Sequence, residues 1–388
     1  MKKYFLFLIL ILVPMLVQAT YHAIHLDIDS KALKKLLNYN FAEDQPISKM
    51  RIDGKTHDGA KLKRRGNSSR NYTKGSYTVS FDEPQEIWKG FKAKDVFLLG
   101  HPEDPFSLNN FIGYALANHL GLYDTSYFFA ELFINGLSQG MYMLTEPPNK
   151  QLKRRHPDIK FILRRLYIKY ELKYSDKKIK NKLFAITYSQ IYKSLGALSG
   201  RLLADFLNSK MNLDTYNLWL ALNSFLENAD YIDELYWAGI LRFTENNSAP
   251  YFNYISAWDF DDIFQSPRNN TEVYLADGTR SLVHSGAAFL DQKIGTDPFL
   301  YKLFKVKYQE MLISMNRKII ENVFSDLEKD ILPYYEKPGF VAAQRYFYNN
   351  PKLDKKMVED LMQKKKVKLL SRYDEVSKRL KSEENNEK

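Results

Sequence analysis

Polar and apolar residues alternate along the first part of the chain, and this alternation predicts strands between residues 47 and 81. Ser76–Phe81 is the clearest case, because every second residue from Tyr77 is apolar and is predicted to face a core. A tight polar turn, Arg65–Ser69, interrupts the predicted strands, and another short strand is predicted over Asp95–Gly100. The pattern therefore favours a sheet in the N-terminal part of the chain.

Helical spacing of apolar residues begins at Leu108, where Ser107 is the predicted N-cap, and continues to Leu120. Asn135-Gly136 then lies between two apolar runs, which predicts a hairpin with a loop longer than two residues. Beyond residue 182 the pattern is mainly helical with two strands in its middle. The predicted helices cover residues 183–207, 213–227 and most of 297–380, and the predicted strands cover 236–243 and 251–258.

Residues 146–149 contain a Pro-Pro pair, which interrupts regular structure. They separate the strand-rich first part of the chain from the mainly helical second part and predict a boundary between two lobes. We therefore expect an α+β fold with a strand-rich N-terminal lobe, residues 20–146, and a mostly helical C-terminal lobe, residues 147–380. A polar tail, residues 381–388, follows. A chain of 388 residues is long for one compact core, which agrees with two lobes.

The start of the chain has the three parts of a secretory signal peptide. Lys2-Lys3 is the basic part, Tyr4–Val17 is an apolar run, and Ala19 is the expected last residue before cleavage. The run is shorter than the about 20 apolar residues that a membrane-spanning helix needs. We therefore expect residues 1–19 to be removed and the mature chain to be periplasmic or secreted.

Composition narrows the classes of function. The chain has no cysteine, which excludes disulfides, thiolate catalysis and zinc sites built from cysteine. Its formal net charge is +11, and the excess is concentrated in a basic segment, residues 150–182, with 13 Lys or Arg against three acidic residues. A basic surface of this kind can bind phosphates, nucleic acid, acidic lipid or an acidic protein.

Two acidic clusters lie where a helix and a strand are predicted to end. Asn228–Asp230 follows the helix, with Asp233 and Glu234 just behind it, and Trp258–Asp262 follows the strand. The strand pair between the clusters is expected to bring them together. Such carboxylates can hold Mg²⁺, which prefers oxygen ligands and leaves positions for phosphate, while a further Asp orients a hydroxyl nucleophile. Solvated loop acids or strand-end caps are the alternative interpretation.

The turn at residues 65–70 is the third candidate feature. Small residues with a flexible backbone, bracketed by Arg65 and Arg70, can lie close to phosphates. The same residues also suit an ordinary surface hairpin turn. The turn alone does not decide between the two interpretations.

Taken in order along the chain, these features resemble the spore coat protein H family, the CotH-type atypical kinases. The order and spacing of the motifs are more specific than any one of them. The matching segments are Arg65–Arg70, Lys74–Tyr77, Leu99-Gly100, Asp104–Leu108, Phe133–Gly136, Gly140–Glu146, Asn228–Asp230 and Trp258–Asp261. The resemblance implies a two-lobed kinase-like fold, ATP and Mg²⁺ or Mn²⁺ as cofactors, and transfer of the γ-phosphoryl group to protein hydroxyls.

The resemblance also implies roles for individual residues. Asp259 matches the family's metal-binding Asp, and Asp261 and Glu234 are the further candidate metal ligands. Asp230 matches the acid of the family's Asn-x-Asp element and is the candidate catalytic base. Phosphoryl transfer needs positioning and charge neutralisation, which agrees with this layout. The candidate nucleotide-contacting residues are Arg65, Asn67, Ser68, Lys74 and Glu146.

Two positions depart from the family pattern. Members commonly have two lysines before Ser-Tyr, and here the second is Gly75. They also tend to have His-Asn shortly after the Asn-x-Asp element, where this chain has Asp233 and Glu234. The second hypothesis is therefore a catalytically weak or inactive, pseudokinase-like protein that binds a partner through its basic segment.

The leading hypothesis is an exported ATP-dependent kinase whose substrate is a hydroxyl on another protein or on the chain itself. Nucleic-acid binding is a third hypothesis, because Tyr167, Tyr170 and Tyr174 are interleaved with basic residues, as in single-strand binders. The spacing of these tyrosines is near helical, which favours a packed helix with a solvated basic side instead.

Overall fold

The structure is a computed structural model, and it describes residues 21–38, 43–66, 72–88, 90–122, 127–166, 169–176, 182–232, 235–244 and 247–386. The predicted signal peptide lies outside the described residues. Asn67, Ser68 and Glu234, three of the candidate site residues, also lie outside them. The described residues form two sheets and a set of helices, which agrees with the predicted α+β class.

The strands before residue 146 form one nine-stranded sheet. They are β1 (Ala23–Asp27), β2 (Gln45–Pro46), β3 (Lys49–Ile52), β4 (Lys55–His57), β5 (Ala60–Arg65), β6 (Ser76–Trp88), β7 (Phe91–Leu99), β8 (Tyr127–Ile134) and β9 (Leu137–Thr145). Their order is β2-β5-β6-β7-β9-β8-β1-β3-β4, and only β1 and β8 pair in parallel among the described strands. Tyr77, Val79 and Phe81 of β6 are buried as predicted.

A four-stranded antiparallel sheet follows. Its strands are β10 (Phe161–Arg165), β11 (Tyr170–Ser175), β12 (Leu235–Thr244) and β13 (Asn247–Ala257), in the order β11-β10-β12-β13. The prediction of a packed helix around Tyr170 and Tyr174 is wrong, because these residues belong to β11. Strand β11 pairs with β10, where Tyr170 lies opposite Arg165 and Tyr174 opposite Ile162, so long-range strand pairing overrides the local spacing. Tyr167 lies outside the described residues.

The helices lie mainly in the C-terminal part. They are α1 (Ser30–Leu36), α2 (Leu108–His119), α3 (Pro148–Arg155), α4 (Lys182–Ala197), α5 (Gly200–Lys210), α6 (Leu213–Phe225), α7 (Phe289–Thr296), α8 (Pro298–Ser314), α9 (Arg317–Ile331), α10 (Pro338–Phe347) and α11 (Lys355–Asn386). The helix predicted over residues 183–207 is thus two helices, separated before Gly200, whose φ is 59°. Within the described ranges, no helix has the length and apolar character needed to cross a bilayer.

Two local predictions differ from the structure in detail. Asn135-Gly136 forms a two-residue loop between β8 and β9, shorter than predicted, and both residues have the positive φ of a tight hairpin turn (50° and 79°). Ser107 precedes α2 as predicted, but its side chain makes no capping hydrogen bond. The carboxylate of Asp104 accepts the N–H of Asn110 instead, at 3.0 Å, and so caps the first turn.

Helices α2 and α10, which are far apart in the sequence, both pack near the first sheet. Helix α2 belongs to the large hydrophobic cluster that also contains the second sheet and the C-terminal helices. Helix α10 lies against β9, where Gln344 Oε1 accepts the N–H of Met141 at 3.4 Å. The lobe boundary at residues 146–149 stays a prediction, but residues of both sheets line one cleft.

Candidate functional site

A cleft of about 670 Å³ lies between the two sheets and is lined mostly by charged and polar side chains. One wall consists of outer-face residues of β5 and β6, and the other consists of residues of β10, β11 and β12. The wall residues are Lys63, Arg65, Ser76, Thr78, Arg164, Glu171, Lys173 and Tyr236. Residues outside these strands also line the cleft, and they include His101, Pro102, Glu103, Asp230, Trp258, Asp259, Asp261 and Arg268.

A larger groove of about 1090 Å³ lies elsewhere, between α1, the β8–β9 hairpin and α10. Its lining is mostly apolar and includes none of the candidate site residues. The smaller cleft gathers the titratable side chains, so the chemistry argues for the cleft as the functional site despite its size.

The turn that carries the candidate metal ligands, Trp258–Asp262, is held by side chains of helix α2. The backbone N–H of Asp259 donates to the Tyr114 hydroxyl at 3.2 Å, and that of Phe260 donates to Asn110 Oδ1 at 3.1 Å. Asp259 has a left-handed φ of 52°, which Asp tolerates better than most residues. Helix α2 therefore sets the shape of this turn.

The carboxyl groups of Asp259 and Asp261 lie close enough for each to influence the protonation of the other. Burial raises the pKa of Asp259 to about 6, although Arg65 and Arg164 act in the opposite direction. Burial, Asp259 and the nearby carboxylate of Asp262 raise the pKa of Asp261 well above its ordinary range. Adjacent carboxylates ionise together only at a high cost, which a cation between them removes.

This carboxylate pair fits a divalent cation that is shared with a phosphate ligand. Mg²⁺ commonly takes one or two carboxylates and leaves its other positions to water and substrate phosphates. Among the residues that the structure describes, no group of three or more His, Asp or Glu is placed to enclose a metal ion by itself. Asp259 and Asp261 could supply the one or two carboxylates that such a Mg²⁺ site takes from the protein.

Asp230 follows α6 and lines the same cleft. Two hydrogen bonds connect its segment to the turn after β13. The N–H of Ala229 donates to the carbonyl of Asp262 at 3.0 Å, and Asn228 Nδ2 donates to the carbonyl of Asp259 at 3.3 Å. The two acidic clusters predicted to meet are thus in contact.

Cationic side chains approach these carboxylates from both sheets. The guanidinium of Arg65, on β5, lies 3.7 Å from the centre of the Phe97 ring, and Arg164 is on β10 directly opposite Tyr236 of β12. Both arginines line the cleft and lower the pKa of Asp259. The site therefore has positive charge where anionic oxygens would lie.

Two residues in this site were missed by sequence reasoning. Arg164 is one of many cations in the basic segment, and only its strand position separates it from Arg165, which is buried against Asp291 at 3.1 Å. Arg268 lies in a loop without regular pattern, yet its Nη1 is 2.8 Å from Asp230 Oδ2. The alternation of residue orientation along β10 was the sequence feature that could have identified Arg164 as facing the cleft. No sequence pattern identified Arg268.

Two predicted nucleotide-contacting residues do not line the cleft. Lys74 is buried, and its Nζ donates to the Tyr348 hydroxyl at 2.8 Å and to Gln344 Oε1 at 3.2 Å. Burial lowers the pKa of Lys74 well below its ordinary range. Glu146 forms an ion pair with Arg154 at 2.9 Å. The structure therefore brings together Asp230, Asp259, Asp261 and Arg65, and leaves Lys74 and Glu146 outside.

The space beside Gly75, one of the two unusual positions, is filled by Arg64. A β-carbon on residue 75 would lie 2.7 Å from Cζ of Arg64, which is closer than real side chains approach. Arg64 is itself buried and donates to the backbone carbonyl of Tyr72. The absence of a side chain at residue 75 is thus matched by a large side chain on the neighbouring strand.

Comparison with known proteins adds one finding. The model of a family described as CotH kinase protein matches residues 62–381, more than four fifths of the 388 residues. The matched region contains the cleft, both sheets' cleft-facing strands and helix α2. No curated protein sequence matches the chain significantly.

Proposed function

Because the chain belongs to the CotH kinase family, we propose that its cleft binds ATP with Mg²⁺ or Mn²⁺ and transfers the γ-phosphoryl group to a protein hydroxyl. The observation that supports this most is that acidic and basic side chains from separate elements line one cleft. These side chains are Asp230, Asp259, Asp261, Arg65 and Arg164. Phosphoryl transfer depends on positioning and charge neutralisation, for which this set is suited.

Each side chain has a role in the proposal. Asp259 and Asp261 would hold the metal, which when bound neutralises and orients the phosphates. Arg65 and Arg164 would bind phosphate oxygens from the two sides of the cleft. Asp230 would accept the proton of the acceptor hydroxyl while the new bond to the γ-phosphorus forms and ADP leaves.

The proposal includes a kinase-like arrangement of two lobes, with the nine-stranded sheet in one and the four-stranded sheet in the other. Its support is that the cleft has one wall on each sheet. Lys74 and Glu146 have no direct ligand contact in this proposal, since neither lines the cleft. The acceptor hydroxyl belongs to another protein or to the chain itself.

The alternative is a protein that keeps the fold without catalysis and binds a partner through its basic segment. Several described cations of this segment are engaged within the protein. They pair as Lys150 with Asp95, Arg154 with Glu146, Lys160 with Asp176, Arg165 with Asp291 and Lys173 with Glu171. Arg164 and Lys173 also line the cleft. The described cations of the segment are thus partly engaged within the protein and partly turned into the cleft, which favours the kinase.

The binding part of the proposal is tested by calorimetry of ADP with the chain from Thr20 onward, with Mg²⁺, with Mn²⁺ and with EDTA. We expect binding only with metal, and a loss of affinity of at least about tenfold in Asp259→Asn and Asp261→Asn. Asp205→Asn is the matched control, because the Asp205 side chain is exposed and pairs only weakly with Arg201 at 3.8 Å. A wild-type chain that binds no nucleotide with either metal would contradict the proposal.

A further inference from the structure

Arg268 bridges the two acidic segments of the cleft. Its Nη1 lies 2.8 Å from Asp230 Oδ2, and its Nη2 contacts Asp262 Oδ2. One guanidinium thus joins a carboxylate that follows α6 to a carboxylate that follows β13. The second oxygen of Asp262, Oδ1, accepts a hydrogen bond from Gln265 Nε2 at 3.1 Å, which fixes the orientation of the Asp262 carboxylate.

We propose that Arg268 is a positioning residue that holds the carboxylate of Asp230 against the turn that carries Asp259 and Asp261. The part of this inference that concerns catalysis rests on the proposed function of the cleft, whereas the part that concerns geometry does not. Arg268 is assigned no contact with the nucleotide.

The need for such a residue follows from the charges. Asp230, Asp259 and Asp261 line the same cleft, and Asp262 lies close to Asp261. Carboxylates in proximity repel one another when ionised. The hydrogen bonds from Ala229 and Asn228 fix backbone positions, but they do not orient the carboxylate of Asp230. A planar guanidinium can bind two carboxylates at once with defined angles, which a lysine ammonium cannot do.

The contacts of Arg268 predict different effects of its removal on the rate of transfer and on nucleotide affinity. Arg268 binds Asp230, the candidate base, and Asp262, which is not a candidate metal ligand. Its removal should therefore lower the rate of transfer far more than the affinity for the metal–nucleotide complex. A misplacement of a reacting group by about 1 Å costs on the order of 10²-fold in rate.

The test compares Arg268→Ala, Arg268→Lys and wild type in the full mature chain. Arg201→Ala is the matched control, because Arg201 is an exposed arginine whose side chain is 82% accessible. Three quantities are measured: hydrogen exchange of residues 226–232, ADP affinity with Mg²⁺, and the single-turnover rate of labelling by γ-labelled ATP. Melting temperatures show that each variant is folded, and the lysine variant keeps the charge if the alanine variant does not fold.

We expect faster exchange in residues 226–232, ADP affinity within about threefold of wild type, and a rate lower by about 10²-fold in Arg268→Ala. Arg268→Lys should lie between the two, and Arg201→Ala should match wild type. Unchanged exchange in Arg268→Ala would overturn the inference, as would a loss of ADP affinity equal to the loss of rate. Faster exchange in a chain whose wild type transfers no label would support the positioning and contradict the kinase.

Discussion

The ring of Phe260 lies directly against the backbone of Gly113, so that a β-carbon on residue 113 would be 2.1 Å from Cγ of Phe260. Phe260 stands between Asp259 and Asp261 in the chain, and Gly113 lies on helix α2, whose Asn110 and Tyr114 bind the same turn. The position of the candidate metal ligands therefore depends on the absence of a side chain in the middle of a helix.

Substituting Gly113 by alanine should move the turn and weaken the metal site. We expect Gly113→Ala to lower the free energy of unfolding by about 1–3 kcal/mol, because the extra methyl group overpacks the contact with Phe260. ADP affinity with Mg²⁺ should fall in parallel, as measured by calorimetry.

The matched control is Gly196→Ala in α4, where no atom outside the adjacent residues and the backbone of the helix itself lies within 4 Å of the added β-carbon. This change should leave ADP affinity unaltered and stabilise the chain by up to about 1 kcal/mol, because alanine is the better helix former. Equal effects of the two substitutions would show that the Gly113 contact does not position the turn.

The raised pKa of Asp259, about 6, gives metal binding a pH dependence. Below that pH the carboxyl is protonated and cannot serve as a metal ligand. We therefore expect ADP affinity with Mg²⁺ to increase as the pH rises from about 5 to about 7.5 and then to level off. Calorimetry across this range checks the trend, and a flat profile would argue against Asp259 as the ligand.

Without metal, the same group acts on stability with the opposite sign. The folded chain keeps a proton on Asp259 that the unfolded chain releases, so this group favours the fold at low pH. That contribution is lost as the pH rises through about 6. Mg²⁺ should thus raise the melting temperature more at pH 7.5 than at pH 5, and Asp259→Asn should remove the difference.

Arg65 and Lys74 were both candidates for nucleotide contact, and the structure places only Arg65 in the cleft. We expect Arg65→Met to weaken ADP binding by about tenfold or more, as for the loss of a charged hydrogen bond. Lys74→Met should leave ADP affinity within about threefold and instead destabilise the fold by about 1–3 kcal/mol, because Tyr348 and Gln344 lose a partner. If Lys74→Met weakens ADP binding as much as Arg65→Met, the assignment is wrong.

Gly75 can be tested by restoring the lysine that is common in the family. Gly75→Lys should destabilise the chain by about 1–3 kcal/mol, because the new side chain meets the guanidinium of Arg64. The double variant Arg64→Met/Gly75→Lys should be more stable than the sum of the two single effects, as is usual for residues in contact. Urea unfolding measures all three, and strictly additive effects would show that the two residues do not compete for space.

Local patterns predicted the parts of the fold in which local and long-range forces agree. Tyr77 and its alternating neighbours face the core, and helix α2 begins at Leu108 as predicted. The prediction failed at Tyr170 and Tyr174, where helical spacing was overridden by the pairing of β11 with β10. It also failed at the Asn135-Gly136 loop, whose length depends on how far the two strands pair.

The candidate site was predicted where side chains follow regular elements. Asp230, Asp259 and Asp261 lie at the ends of a helix and a strand, and Arg65 lies at the end of β5. The position of Lys74 depends on contacts with residues of α10 and beyond, about 270 residues later in the chain, which no local pattern contains. The role of Arg268 likewise can be recognised only from its contacts with two carboxylates, which the sequence does not show.

Phosphoryl transfer is tested most directly with γ-labelled ATP. The chain from Thr20 onward is incubated with Mg²⁺ or Mn²⁺, and label is measured on the chain itself and on a generic basic protein, beside Asp230→Ala, Asp259→Asn and the control Asp205→Asn. We expect label with wild type and Asp205→Asn, and none with Asp230→Ala or Asp259→Asn. A folded wild-type chain that transfers no label with either metal, or label that persists in both site variants, would contradict the assignment of this cleft as a kinase active site.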